Sequence, residues 1–159
     1  MFRNEGIGGS LSTRAAEQVT AEPPAPADYY LLMTGVNDAR LYGDIPDPQA
    51  DYAEALATIF KAFAATSSRA AVIAVEQPYL VDYSQHGPHN KGSNALVDTY
   101  NGILRRVAGH YPQVVLTAAE GWDPGAMIAD DTVHPNDLGH RELAAAVCRV
   151  AKTPADTKS

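Results

Sequence analysis

Asp131-Thr132-Val133-His134-Pro135 sets a carboxylate three residues before a histidine. In a turn just ahead of a final helix, that spacing lets the carboxylate orient the imidazole and support it as a general base. Gly35-Val36-Asn37-Asp38 follows the apolar run Tyr29-Tyr30-Leu31-Leu32-Met33, which reads as a buried strand. Asn37 is therefore expected in a loop at that strand's C-terminal end, the edge of an open α/β sheet where ligands bind. A third stretch, Asn4-Glu5-Gly6-Ile7-Gly8-Gly9, carries glycines that allow a tight turn and close backbone approach. Each stretch also has a plainer reading. The glycines suit a flexible loop, Asn37-Asp38 is a common turn pair, and Asp131 and His134 suit a turn and a helix cap.

The three stretches together, taken in their order along the chain, resemble the SGNH or GDSL hydrolases, serine esterases and lipases whose sites are assembled from short sequence blocks. The resemblance runs from about residue 2 to about residue 150. It implies that Gly9 donates a backbone N–H to an oxyanion hole, that the Asn37 amide is a second donor, and that His134 and Asp131 are the base and its partner. The family's nucleophile sits in a Gly-Asp-Ser block at the end of the first strand. No Gly-Asp-Ser occurs in this sequence, and Gly43-Asp44 is followed by Ile45. Ser10, beside Gly9, reads more simply as a cap or turn residue.

The implied function is cleavage of a small-molecule acyl or acetyl ester without a cofactor, the serine block being absent from this chain. The alternative is a catalytically inactive SGNH-like binding module, or one part of a complemented assembly. Two origins are expected for the gap: an upstream segment missing from this sequence, or a strand-donating partner chain. Asp38 is read as a candidate further pocket residue, and Trp122 as either lining the pocket or covering the core. The polar, tyrosine-containing loops at 39–48 and 78–94 favour a small or polar acyl group.

These stretches need elements to position them. From Ser10 or Ser12 the chain is helix-compatible through about Val19, and Glu22-Pro23-Pro24-Ala25-Pro26 stops it. Tyr29 to Thr34 is the first complete strand, and Gly35 to Pro48 reads as a loop rich in turn residues. From Asp51 to about Ala65, Tyr52, Leu56, Ile59, Phe60 and Phe63 form one apolar stripe, expected in the core. Ala70 to Val75 is β-branched and apolar throughout, as a strand buried on both faces. A helix from Ala95 to Gly109, a strand from Gln113 to Thr117, and a helix starting close to Pro135, with that proline suiting its first turn, and running to Val150 complete the pattern.

Alternating strands and helices predict an α/β protein, a three-layer α/β/α sandwich with a parallel sheet. The resemblance implies flavodoxin-like strand order, with the first strand and most of the second missing. That would leave Tyr29 to Thr34 as an apolar edge open to pairing. One domain over residues 1–151 is expected, with 152–159 a disordered tail.

The chain's 159 residues, 45% of them hydrophobic, suit one core. A net charge of −7, with Arg105-Arg106 the sole adjacent basic pair, argues against a nucleic-acid surface. The single Cys148 excludes an internal disulfide and, among alanines and valines, reads as buried. His86-Gly87-Pro88-His89 lacks a third ligand and breaks any helix, so no metal site is expected and a pocket rim is the better reading. No segment approaches the roughly 20 apolar residues of a membrane span.

Overall fold

The computed structural model describes residues 1–151, so the expected tail at 152–159 lies outside the described residues. The element order is α1 (Ser12–Ala21), β1 (Tyr29–Leu32), α2 (Val36–Tyr42), α3 (Pro46–Thr66), β2 (Ala71–Val75), α4 (Asn94–Ala108), β3 (Val114–Thr117), α5 (Pro124–Met127) and α6 (Asp137–Val150). The three strands form a parallel sheet in the order β1-β2-β3, with Tyr30 opposite Val72 and Ile73 opposite Val115.

Side-chain alternation along the strands divides the sheet into two faces. Tyr30, Val72 and Ala74 join the apolar stripes of α3 and α4 in the core, where Tyr52, Leu56, Ile59 and Phe60 are fully buried. Tyr30 stacks on Phe63, ring centroids 4.4 Å apart, and α1 packs outside α3. On the other face α6 lies against β2 and β3, and Thr117 Oγ1 donates to Ala146 O at 2.8 Å. The result is an α/β/α sandwich whose central strand β2 is buried almost throughout. At the edge, Leu31 of β1 and Met33 just beyond it stay 47% and 42% exposed, so that side of the sheet is left uncovered by the described residues.

Three expectations are corrected. The segment 35–48 is not a loop: Gly35, at φ 119°, starts α2, and Pro46 occupies the first turn of α3, where its missing N–H leaves nothing unpaired. Asn37 and Asp38 have turn propensity because their side chains compete for local backbone groups, but here both side chains bond to residues 10–12 instead. Pro135 precedes α6, and Asn136 is its N-cap, accepting from Leu138 N at 3.0 Å and Gly139 N at 3.1 Å. Cys148 is exposed, on the side of α6 turned away from the buried Ala146. Of the basic pair, Arg105 makes a two-pronged contact with Glu76, at 2.8 and 2.6 Å. No helix among the described residues is long and apolar enough to cross a membrane.

Candidate active site

The segment 128–136 is held as a rigid loop before α6. Ile128 bridges Pro135, Ala129 N–H donates to His134 O at 2.8 Å, and Asn136 N–H donates to Met127 O at 2.9 Å. Within it, Asp131 Oδ1 accepts the backbone N–H groups of Val133 at 3.0 Å and His134 at 2.9 Å. Thr132 takes a left-handed conformation to close this turn. The other carboxylate oxygen, Oδ2, lies 2.6 Å from His134 Nδ1. The His134 backbone N–H, then that of Val133 and the imidazole, hold the Asp131 carboxyl far below the usual carboxylate range. An ionised acceptor fixes the proton on Nδ1 and leaves Nε2 as the basic nitrogen, on a side chain that is 78% exposed.

Facing this loop is the start of α2. Gly35 O accepts Ala39 N–H at 3.0 Å, opening the helix directly after β1 and putting Asn37 in its first turn. Asn37 Nδ2 donates to Ser10 O at 3.1 Å, which uses one of its two N–H bonds. Gly8 and Gly9 form the corner of a turn closed by Ser10 N–H on Ile7 O at 3.2 Å. Gly9, at φ 73°, supplies the positive dihedral this corner requires, and among the described residues its N–H has no hydrogen-bond partner.

Gly9, Asn37, Asp131 and His134 all line one cavity of ≈ 580 Å³, within the range of small-molecule sites. Its wall also includes Gly8, Met33, Leu80 and Ile128. His86 and His89 of the 78–94 loop line it too, with His86 Nε2 donating to Asp131 O at 2.7 Å. No group of three or more metal-ligating side chains forms among the described residues.

Two pocket expectations are corrected. Asp38, 2% exposed, is absent from the cavity wall because its carboxylate is buried against Ser12, whose N–H lies at 3.1 Å and hydroxyl at 2.5 Å. Trp122 is also absent from the cavity wall and serves the other reading, as a core cover: its indole N–H donates to Tyr79 O at 2.9 Å and its ring packs on Gly139 so closely that a Cβ there would stand 3.1 Å from it. Arg40 and Gln77 are buried residues of the cavity wall that belong to none of the three sequence stretches. Arg40 follows Asn37 by three positions, which on a helix means the same face, so recognising α2 as a helix would have found it. No serine among the described residues lines the cavity.

Solved structures similar to this chain share its fold. An acetyl esterase mutant holding an acetate ion is 21% identical, with a TM-score of 0.67 over 90% of this chain and 67% of that one. A lipase/acylhydrolase from Enterococcus faecalis is 20% identical, with a TM-score of 0.63 over 89% and 70%. A catalytic mutant of an acetylxylan esterase from Geobacillus stearothermophilus is 22% identical, with a TM-score of 0.60 over 92% and 69%. No curated protein sequence matches the chain. The model of the GDSL-like lipase/acylhydrolase family matches residues 1–142, nearly all of the described residues, among them Gly9, Asn37, Asp131 and His134, and the chain belongs to that family.

Proposed function

We propose that this chain carries the base, the orienting carboxylate and two oxyanion donors of an ester hydrolase acting on a small or polar acyl ester. The observation that carries this reading is the 2.6 Å contact of His134 Nδ1 with Asp131, which leaves Nε2 as base on a cavity shared with Gly9 and Asn37. In such a site a serine oxygen attacks the acyl carbon while Nε2 takes its proton, and Asp131 stabilises the imidazolium that forms. The Gly9 N–H and the second Asn37 N–H receive the negative charge that develops on the carbonyl oxygen. The imidazolium then returns its proton to the leaving alcohol, and a water activated by the same nitrogen releases the acid.

The serine must come from outside the described cavity wall. The open β1 edge, with Leu31 and Met33 exposed, favours a second reading, in which a strand supplied by another segment or chain completes the sheet and brings the nucleophile. Without it, the chain is a binding module for acylated ligands. The test is hydrolysis of 4-nitrophenyl acetate by the chain alone and with an added apolar peptide ending in Gly-Asp-Ser. Activity that needs the peptide's serine and disappears in His134→Ala supports the complemented enzyme. A chain that neither hydrolyses the ester nor binds it, with or without the peptide, ends the proposal.

A further inference from the structure

Four buried side-chain polar atoms have no hydrogen-bond partner among the described residues: Arg40 Nε, Arg40 Nη2, Gln77 Nε2 and Tyr100 Oη. Three of them are N–H donors on two residues of the cavity wall that also holds His134. Buried donors are almost always satisfied, and an unpaired guanidinium is the most costly of them to leave bare. Arg40 is 5% exposed and Gln77 6%. Burial lowers the Arg40 pKa from its ordinary value, yet a guanidinium stays charged in proteins.

The chain's own anions do not complete this pair of residues. Asp131 is the carboxylate whose field reaches Arg40, but its side-chain oxygens are engaged by His134 and Val133. The backbone groups of Gln77 are likewise taken, by the Asn101 side chain at 2.8 and 2.9 Å, which pins the residue and leaves its amide nitrogen without a partner. Arg40 is pinned as well. At Gly92 an added Cβ would stand 3.0 Å from Arg40 Cγ and 2.6 Å from the Tyr83 ring, so the arginine stem is wedged under that loop.

A fixed guanidinium and a fixed amide donor on the wall of one cavity suit an anionic acceptor, and the guanidinium fork matches two oxygens in one plane, the geometry of a carboxylate. Met33, Val36, Leu80 and Ile128 add apolar surface to the same wall, which makes the attraction stronger than in open water. We infer that Arg40 and Gln77 form an anion subsite that takes a free carboxylate on the substrate while its ester group lies at His134. The preferred substrates are then esters that keep one ionised carboxyl, such as half-esters of short diacids. This inference rests on the ester-hydrolase reading and adds a substrate class to it.

The test uses two small esters of nearly equal shape, monomethyl succinate and its neutral amide analogue methyl succinamate, titrated into the chain while NMR follows the His134 ring and the Gly9 amide. The expected result is at least tenfold tighter binding of the acid, a preference lost in Arg40→Met and reduced in Gln77→Leu. Equal binding of both esters at His134 overturns the anion subsite and leaves the ester site standing. Failure of both to move the His134 signals overturns the ester reading and the subsite with it. Melting of the ligand-free variant supplies a readout that is independent of binding. Arg40→Met is expected to melt no lower than the parent chain, because it removes an unpaired charge. A fall of several degrees with the preference intact makes Arg40 a structural cation and also overturns the proposal.

Discussion

The Asp38 carboxylate accepts the Ser12 N–H at 3.1 Å and the Ser12 hydroxyl at 2.5 Å, joining the first turn of α2 to the first turn of α1 across 26 residues of sequence. Asn37, its neighbour, donates to Ser10 O. These adjacent residues therefore hold the same segment from opposite sides. Asp38 ties down the start of α1 from the buried side, and Asn37 steadies the glycine turn from the cavity side. A negative charge at the N-terminus of α1 also complements the helix dipole. Burial raises the Asp38 pKa, and the Ser12 hydrogen bonds oppose that rise without cancelling it.

Asp38→Ala is expected to cost about 1–3 kcal/mol, because it leaves the buried Ser12 N–H and hydroxyl without an acceptor. Asp38→Asn keeps one acceptor oxygen and should cost less. Urea unfolding of the three proteins checks the order. Equal stability of Asp38→Ala and the parent would mean that the contact adds nothing to the fold.

Gly35→Ala places a side chain at φ 119°, with its Cβ 2.8 Å from the Tyr52 hydroxyl. Tyr52 cannot step aside, being fully buried and bonded to Thr34 O at 3.0 Å. Strain and overpacking together should cost about 2–4 kcal/mol. Thermal melting measures this. A control, Gly102→Ala in α4, where a Cβ meets nothing within 4 Å, should melt at or above the parent temperature.

The parallel sheet and its long helices were legible because strand composition and the 3.6-residue stripe of Tyr52, Leu56, Ile59, Phe60 and Phe63 depend on local pattern alone. The start of α2 was not. Asn37 and Asp38 read as turn formers, and only their bonds to Ser10 and Ser12, distant in sequence, free the backbone to be helical. The same tertiary cause hides Asp38 and Trp122, whose side chains are drawn away from the cavity by partners no spacing rule reveals. The Asp131-to-His134 turn is compact enough that its spacing nearly dictates its hydrogen bonds.

Protonating Asp131 should loosen the loop that presents His134. The sign follows from the direction of its shift. A carboxyl with a depressed folded pKa contributes stability that is present above its unfolded value of about 3.9, and that is lost as pH falls through the folded value. Hydrogen exchange at the Val133 and His134 amides should therefore be slow near neutrality, with the protection failing only well below about pH 3.9. Asp131→Asn can still accept those amides but cannot accept the His134 Nδ1–H, so the loop should persist while the imidazole loses its fixed tautomer. In the peptide-complemented assay the activity should fall by up to about 10⁴-fold. Retained activity in Asp131→Asn would remove the carboxylate from the mechanism.

Asn37 has two roles that substitution can separate. One N–H of its amide holds Ser10 O at 3.1 Å, and the other, on a residue of the cavity wall, has no partner among the described residues. Asn37→Ala removes both, so the Gly8 and Gly9 amides should exchange faster and complemented activity should drop about 10²–10³-fold, the usual loss for one oxyanion donor. Asn37→Asp sets a carboxylate against the Ser10 carbonyl and against any developing oxyanion. It should be the less active of the two, although it is closer in shape to asparagine. The reverse order, with the aspartate variant the faster enzyme, would show that Asn37 serves only to pack the turn and would leave the Gly9 N–H as the sole donor on this side of the cavity.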